Sequence, residues 1–129
     1  MAITREVAAA IDGIRTTVDP SPVTVREDAE GGAYVIVESI ALSDAYEQSE
    51  TWIGFHVTFQ YPYADVYPHF VRGDLARRDG QPLGEATSPS SFEGRVAIQL
   101  SRRSNRLNPA VDTAAIKLVK VIQWLRTRP

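Results

Sequence analysis

Ile53-Gly54-Phe55-His56-Val57-Thr58-Phe59-Gln60-Tyr61-Pro62 is the stretch that decides the fold class. Ile53, Phe55, Val57 and Phe59 alternate with Gly54, His56, Thr58 and Gln60, the period expected of a strand with one buried face. Such a strand needs partners, and its neighbours supply them. Val23-Thr24-Val25-Arg26 and Tyr34-Val35-Ile36-Val37-Glu38-Ser39-Ile40 are both β-branched, and the acidic, glycine-bearing Glu27-Asp28-Ala29-Glu30-Gly31-Gly32 between them signals a hairpin. A polar link from Ser43 to Glu50 leads into the central strand, and His69-Phe70-Val71-Arg72 predicts a short fourth one.

Helical periods flank these strands. Ile3, Val7, Ile11, Ile14 and Val18 recur at steps of three and four, which predicts an amphipathic helix over about residues 3 to 17. It must stop before Asp19-Pro20-Ser21-Pro22, because proline disfavours helical geometry in the residue ahead of it. Near the other end, Asp112 is positioned to cap a helix whose apolar stripe is Ala115, Leu118, Ile122 and Leu125, with Lys117, Lys120 and Gln123 pointing elsewhere. Gly73 to Gly94 is rich in Gly, Pro, Ser and charge, and predicts a long irregular segment with at most short pieces of structure. The expected fold class is α+β: an N-terminal helix, a four-stranded antiparallel meander, a long loop and a C-terminal helix, the helices packing on the sheet or its edge.

A chain of 129 residues fits one domain spanning residues 1–129, since single cores usually close at about 100 to 150 residues. A net charge of -2 offers no broad attraction for nucleic acid or an anionic membrane, and neither is an expected partner. Arg72, Arg77, Arg78, Arg102, Arg103 and Arg106 cluster along the chain and read as a solvated surface. Without cysteine there is no disulfide framework or thiolate zinc site, and with two histidines no metal or cofactor is expected. His56 and His69 belong to no Ser-His-acid spacing and read as ordinary surface or turn residues. Trp52 and Trp124 read as partly buried rings. No apolar run follows Met1, and none reaches the roughly 18 residues a spanning helix needs, so a cytoplasmic protein is expected.

Four short motifs then occur in an order that resembles the ubiquitin-conjugating enzyme family. Phe55 to Pro62 looks like that family's strand ending in an aromatic-proline pair, and Tyr67-Pro68-His69-Phe70-Val71 resembles its proline turn and fourth strand. Ser88-Pro89-Ser90 stands where the family has His-Pro-Asn, and Gly94-Arg95-Val96-Ala97-Ile98 where it has Gly-x-Ile-Cys-Leu. Leu107-Asn108-Pro109 and the helix after it resemble the family's Trp-Ser-Pro turn and crossover helix. The resemblance covers residues up to about 126 and implies a compact bacterial relative, with Gly73 to Gly94 holding the active-site loop.

Members of that family carry a ubiquitin-like protein as a thioester on one cysteine and pass it to an amine. A thiol suits this role because its pKa near 8.5 leaves a useful fraction of thiolate at neutral pH, whereas a serine hydroxyl needs a dedicated base. The resemblance puts Ala97 at the cysteine and Ser90 at the family asparagine, so this chain cannot form that thioester. Three explanations stay open: Ala97 replaces a native cysteine, a hydroxyl such as Ser101, Ser90, Ser91 or Ser104 carries an oxyester, or the chain binds without chemistry. The resemblance further implies a ubiquitin-activating-enzyme-like protein and a ubiquitin-like protein as partners, in a bacterial stress or antiphage operon. Candidate partner-binding residues are Arg5 and Arg15 on the first helix, with Tyr63, Tyr67, Pro68, Asn108 and Pro109. The alternative is a non-catalytic adaptor that binds a ubiquitin-like protein or a partner enzyme.

Overall fold

The computed structural model describes residues 3–104 and 107–127. Helix α1 spans Arg5–Val18, capped by Thr4, whose hydroxyl accepts from the Val7 amide at 3.1 Å. Its buried face is Val7, Ala10, Ile11, Ile14 and Val18, close to the predicted stripe. Strands β1 (Val23–Glu27), β2 (Ala33–Ala41), β3 (Glu50–Val57) and β4 (His69–Arg72) pair antiparallel in sequence order, as the expected meander does. Helix α2 spans Ala114–Thr127.

The sheet has six strands, not four. β5 (Thr87–Phe92) and β6 (Arg95–Leu100) form a further hairpin, and the sheet order is β1-β2-β3-β4-β6-β5. The expected loop from Gly73 to Gly94 is therefore strand in its last part. Thr-Ser-Pro-Ser-Ser has little intrinsic strand preference, so its conformation comes from pairing with β6. Pro89 is tolerated because β5 is an edge strand, where a missing N–H breaks nothing further out. A two-residue turn closes the hairpin, with Glu93 at φ 50° and Gly94 at φ 77°, the left-handed pair that matches strand twist. From β4 the chain runs out past β6, held to residues 44–48 by backbone bonds between Glu47 and Ala76 and between Arg78 and Ala45.

Both helices lie on one face of the sheet. Their apolar stripes meet Val35, Val37, Ile53, Phe55, Val57, Val71 and Leu100 in a single core. Both also begin at the same end: the Thr4 amide donates to the Gly31 carbonyl in the β1–β2 turn, and the Ala114 amide donates to the Tyr61 hydroxyl just beyond β3. At the opposite end the Tyr46 hydroxyl donates to the Leu125 carbonyl at 2.7 Å and Arg126 donates to Ala41.

Several local expectations change. Thr113, rather than Asp112, caps α2, its hydroxyl accepting from the Ile116 amide, while Asp112 accepts from the Asn108 amide and closes the preceding turn. Phe59 lies past the end of β3 and is half exposed instead of continuing the buried alternation. Lys117 faces inward, and His69 is wholly buried in β4. Of the arginines read as a solvated surface, Arg72 pairs with Asp74, Arg77 pairs with Asp79, and Arg78 donates to the carbonyls of Asp44 and Tyr46. Arg106 lies outside the described residues.

Candidate functional site

The hairpin β5–β6 curls over the sheet face that the helices leave open. Phe92 lies against Phe70 with ring centroids 4.8 Å apart, and reaches Tyr34 and Trp52 at 6.1 and 6.4 Å. A glycine on β3 makes room for it: a Cβ at Gly54 would stand 2.6 Å from two ring carbons of Phe92. Two ion pairs tie the hairpin down. The tip residue Glu93 takes both donors of Arg26 on β1 at 2.7 Å, and Arg95 pairs with Glu38 on β2 at 2.8 Å while lying over the Trp52 ring. Each stacked or charged contact of this sort adds about 0.5–1 kcal/mol at most sites, so the apolar burial of Phe92 is the main anchor.

Ala97 sits under this arrangement. It belongs to a small buried cluster with Ile36 and Phe92, and is 1% exposed. Ser90 faces it across the β5–β6 register and is half-buried. The Ser101 hydroxyl accepts from Gln99 at 3.3 Å, and among the described residues no lysine, histidine or carboxylate is hydrogen-bonded to Ser90 or Ser101. The base that an oxyester would require is therefore missing beside both.

Ser104 is different. Its hydroxyl donates to Asp65 at 2.8 Å and stands 2.9 Å from the Lys117 ammonium, which also reaches both Asp65 oxygens at 3.0 and 3.2 Å. Burial pulls the Asp65 carboxyl upward, but bonds from the Ser104 amide and hydroxyl and from Lys117 outweigh it and leave the carboxyl below its ordinary range. Such a carboxylate is a poor base. The cluster works as a fastener: it ties the chain after β6 to α2 and to the turn before β4. Lys117→Met should cost roughly 2 kcal/mol in urea unfolding at pH 7, by removing one partner of a mostly buried pair. Adding Asp65→Asn should cost less than the two single changes summed, because the second change removes a group already left without its cation.

His69 lies beneath the same region. It packs at 5.1 Å from the Phe55 ring, and neither ring nitrogen has a protein partner among the described residues. Burial above all, with a smaller push from the Lys117 charge against a pull from Asp65, lowers its pKa to about 3. His56 is a fastener too: it stacks on Tyr34 with centroids 4.1 Å apart and its Nε2 lies 2.6 Å from Asp28, which also accepts from the Glu30 and Gly32 amides.

The candidate partner-binding residues divide. Tyr63, Tyr67 and Pro68 lie in the segment between β3 and β4, and Asn108 and Pro109 in the segment before α2; Tyr63 is almost fully exposed and Tyr67 half covered by Arg103 at 4.1 Å. Arg5 is exposed at the start of α1, at the same end of the sheet. Arg15 stands further along α1 and donates to the Val23 carbonyl. Phe92 was missed as a cover for Ala97, although Phe92-Glu93-Gly94-Arg95 carries a hairpin-turn pattern that could have exposed it.

No protein-family model matches this chain, and neither a curated protein nor a solved structure matches it significantly. The α+β architecture stands on its own, and nothing in those comparisons ties it to the ubiquitin-conjugating enzymes. Among the described residues no helix is long and apolar enough to cross a membrane, and no group of three or more His, Cys, Asp or Glu is placed to hold a metal ion.

Proposed function

We propose that this chain is a ubiquitin-conjugating-enzyme-like component of a bacterial ubiquitin-like protein pathway, and that it acts by binding rather than by carrying an acyl group. The observation that supports binding over chemistry is Ala97, a methyl group 1% exposed beneath Phe92 at the position where the resemblance puts the nucleophile. A sulfur at this position would share that burial, and among the described residues neither Ser90 nor Ser101 has a base hydrogen-bonded to it. The order of motifs supports the pathway. The exposed end of the sheet carrying Arg5, Tyr63, Asn108 and Pro109 is the surface this reading assigns to a partner, either the ubiquitin-like protein or its activating enzyme.

The test incubates this chain and its Ala97→Cys variant with a bacterial ubiquitin-like protein, its activating enzyme and ATP. A non-covalent complex without adduct on either chain is the expected result, weakened when Tyr63 and Asn108 are replaced by alanine. A reductant-sensitive adduct on the Ala97→Cys chain, or a hydroxide-sensitive adduct on the unaltered one, would replace the binding role with a catalytic one. Absence of both complex and adduct would remove the pathway assignment.

A further inference from the structure

Most cations among the described residues are answered within the fold. Arg26, Arg72, Arg77, Arg95 and Lys117 each pair with a carboxylate, while Arg15, Arg78 and Arg126 donate to backbone carbonyls. Arg102, Arg103 and Lys120 differ: no carboxylate among the described residues forms an ion pair with any of them. These three line one cleft of about 230 Å³ between the chain after β6 and α2, together with Ser104, Asp112 and Lys117.

The two guanidiniums are held in place without an anion. Arg102 lies 5.0 Å from the ring centroid of Trp124, and Arg103 lies 4.1 Å from that of Tyr67. A guanidinium laid on an aromatic face loses rotamer freedom yet keeps its in-plane N–H donors available, which lowers the ordering cost of taking up a ligand. Four cations, Arg102, Arg103, Lys117 and Lys120, against two carboxylates, Asp112 and the Asp65 that holds Lys117, leave a local excess of two positive charges. The whole chain carries a net charge of -2, opposite in sign to this local excess.

We infer that this cleft is a receptor for a phosphate group, either free or borne on a small molecule. A phosphomonoester carries about -1.5 to -2 charge at neutral pH and three acceptor oxygens, which matches the excess charge and the three cations lining the cleft without a carboxylate partner better than a single carboxylate does. The overall acidity of the chain disfavours an extended polyanion, which would have to lie across acidic surface beyond the cleft. The site is independent of the role proposed for the hairpin and for Ala97.

The test is a titration of the full-length ¹⁵N-labelled chain with inorganic phosphate and with phenyl phosphate, against sodium chloride and acetate at matched ionic strength. Saturable amide shifts confined to residues 102–104 and 117–121 are expected with both phosphates. Arg103→Gln and Lys120→Gln should each weaken binding by about tenfold, the loss of one charge-assisted contact. Arg72→Gln, whose guanidinium is already held by Asp74, should leave it unchanged. Equal affinity for the two phosphates would mark free phosphate as the ligand, and tighter binding of phenyl phosphate a small phosphomonoester. Shifts reproduced by chloride or acetate, or unaffected by the two cleft variants, would overturn the assignment. So would tighter binding of a short DNA oligonucleotide with shifts spread over the surface.

Discussion

Acidification from pH 7 to pH 4 is expected to destabilise this chain by about 3 kcal/mol more than it destabilises a His69→Leu variant. In the fold His69 titrates at about 3, against 6.5 for the free side chain, so between those values the unfolded chain binds a proton that the folded chain does not. Stability from the neutral ring is complete above pH 6.5 and is lost as the pH falls toward 3, at up to about 1.4 kcal/mol per pH unit. The groups that set this are around the ring: the wall of β3 at Phe55, and the Lys117–Asp65 pair. At pH 7 the same variant should be neutral or more stable by about 1 kcal/mol, since two buried nitrogens without a protein partner are removed. Urea unfolding of both chains across this range reads the difference directly, and carboxylate titration common to both cancels. Parallel stability curves would show that the ring is hydrated or charged in the fold.

The second large effect belongs to Phe92. Phe92→Ala should cost about 3 kcal/mol, the range for truncating a buried phenyl group, and should release the hairpin tip from the sheet. Because the chain has no cysteine, Ala97→Cys introduces a single thiol that reports on the cover above it. With Phe92 in place that thiol should react with an aromatic disulfide reagent about a hundredfold more slowly than in the Ala97→Cys, Phe92→Ala double variant, following its exposure. Trp52 emission should change in parallel, as one of the rings beside it is withdrawn. Equal thiol reactivity in the two chains would mean that the hairpin opens readily and that Phe92 does not keep Ala97 covered.

The strands and helices were legible to different depths. The stripe of α1 and the alternation through Val57 report local amphipathicity, which survives in any window of a dozen residues, whereas α2 buries Ala114 and Val121 in place of the expected Ala115 and Ile122. The end of β3 was less readable, because Phe59 continues the pattern after the partner strand has stopped. β5 falls in the segment expected to be irregular with at most short pieces of structure, because Ser and Pro describe what a segment prefers alone and its strand conformation is imposed by β6. Asp112 was read as the helix cap although Thr113 serves instead, within the one or two residues over which helix starts are uncertain.

The candidate site was legible only as positions along the chain. Ser104 was one hydroxyl among several, and nothing in its neighbourhood announced Asp65, 39 residues away, or Lys117. By itself the sequence determined that this is an α+β chain with two amphipathic helices and an antiparallel core, and that residue 97 cannot attack a carbonyl. Only the tertiary structure decided that Ala97 is covered, that His69 and Lys117 are buried, and that Arg102, Arg103 and Lys120 share a cleft. Periodicity records which face of an element avoids water, a property of neighbouring residues. Burial, pairing and charge balance depend on groups brought together across the whole chain.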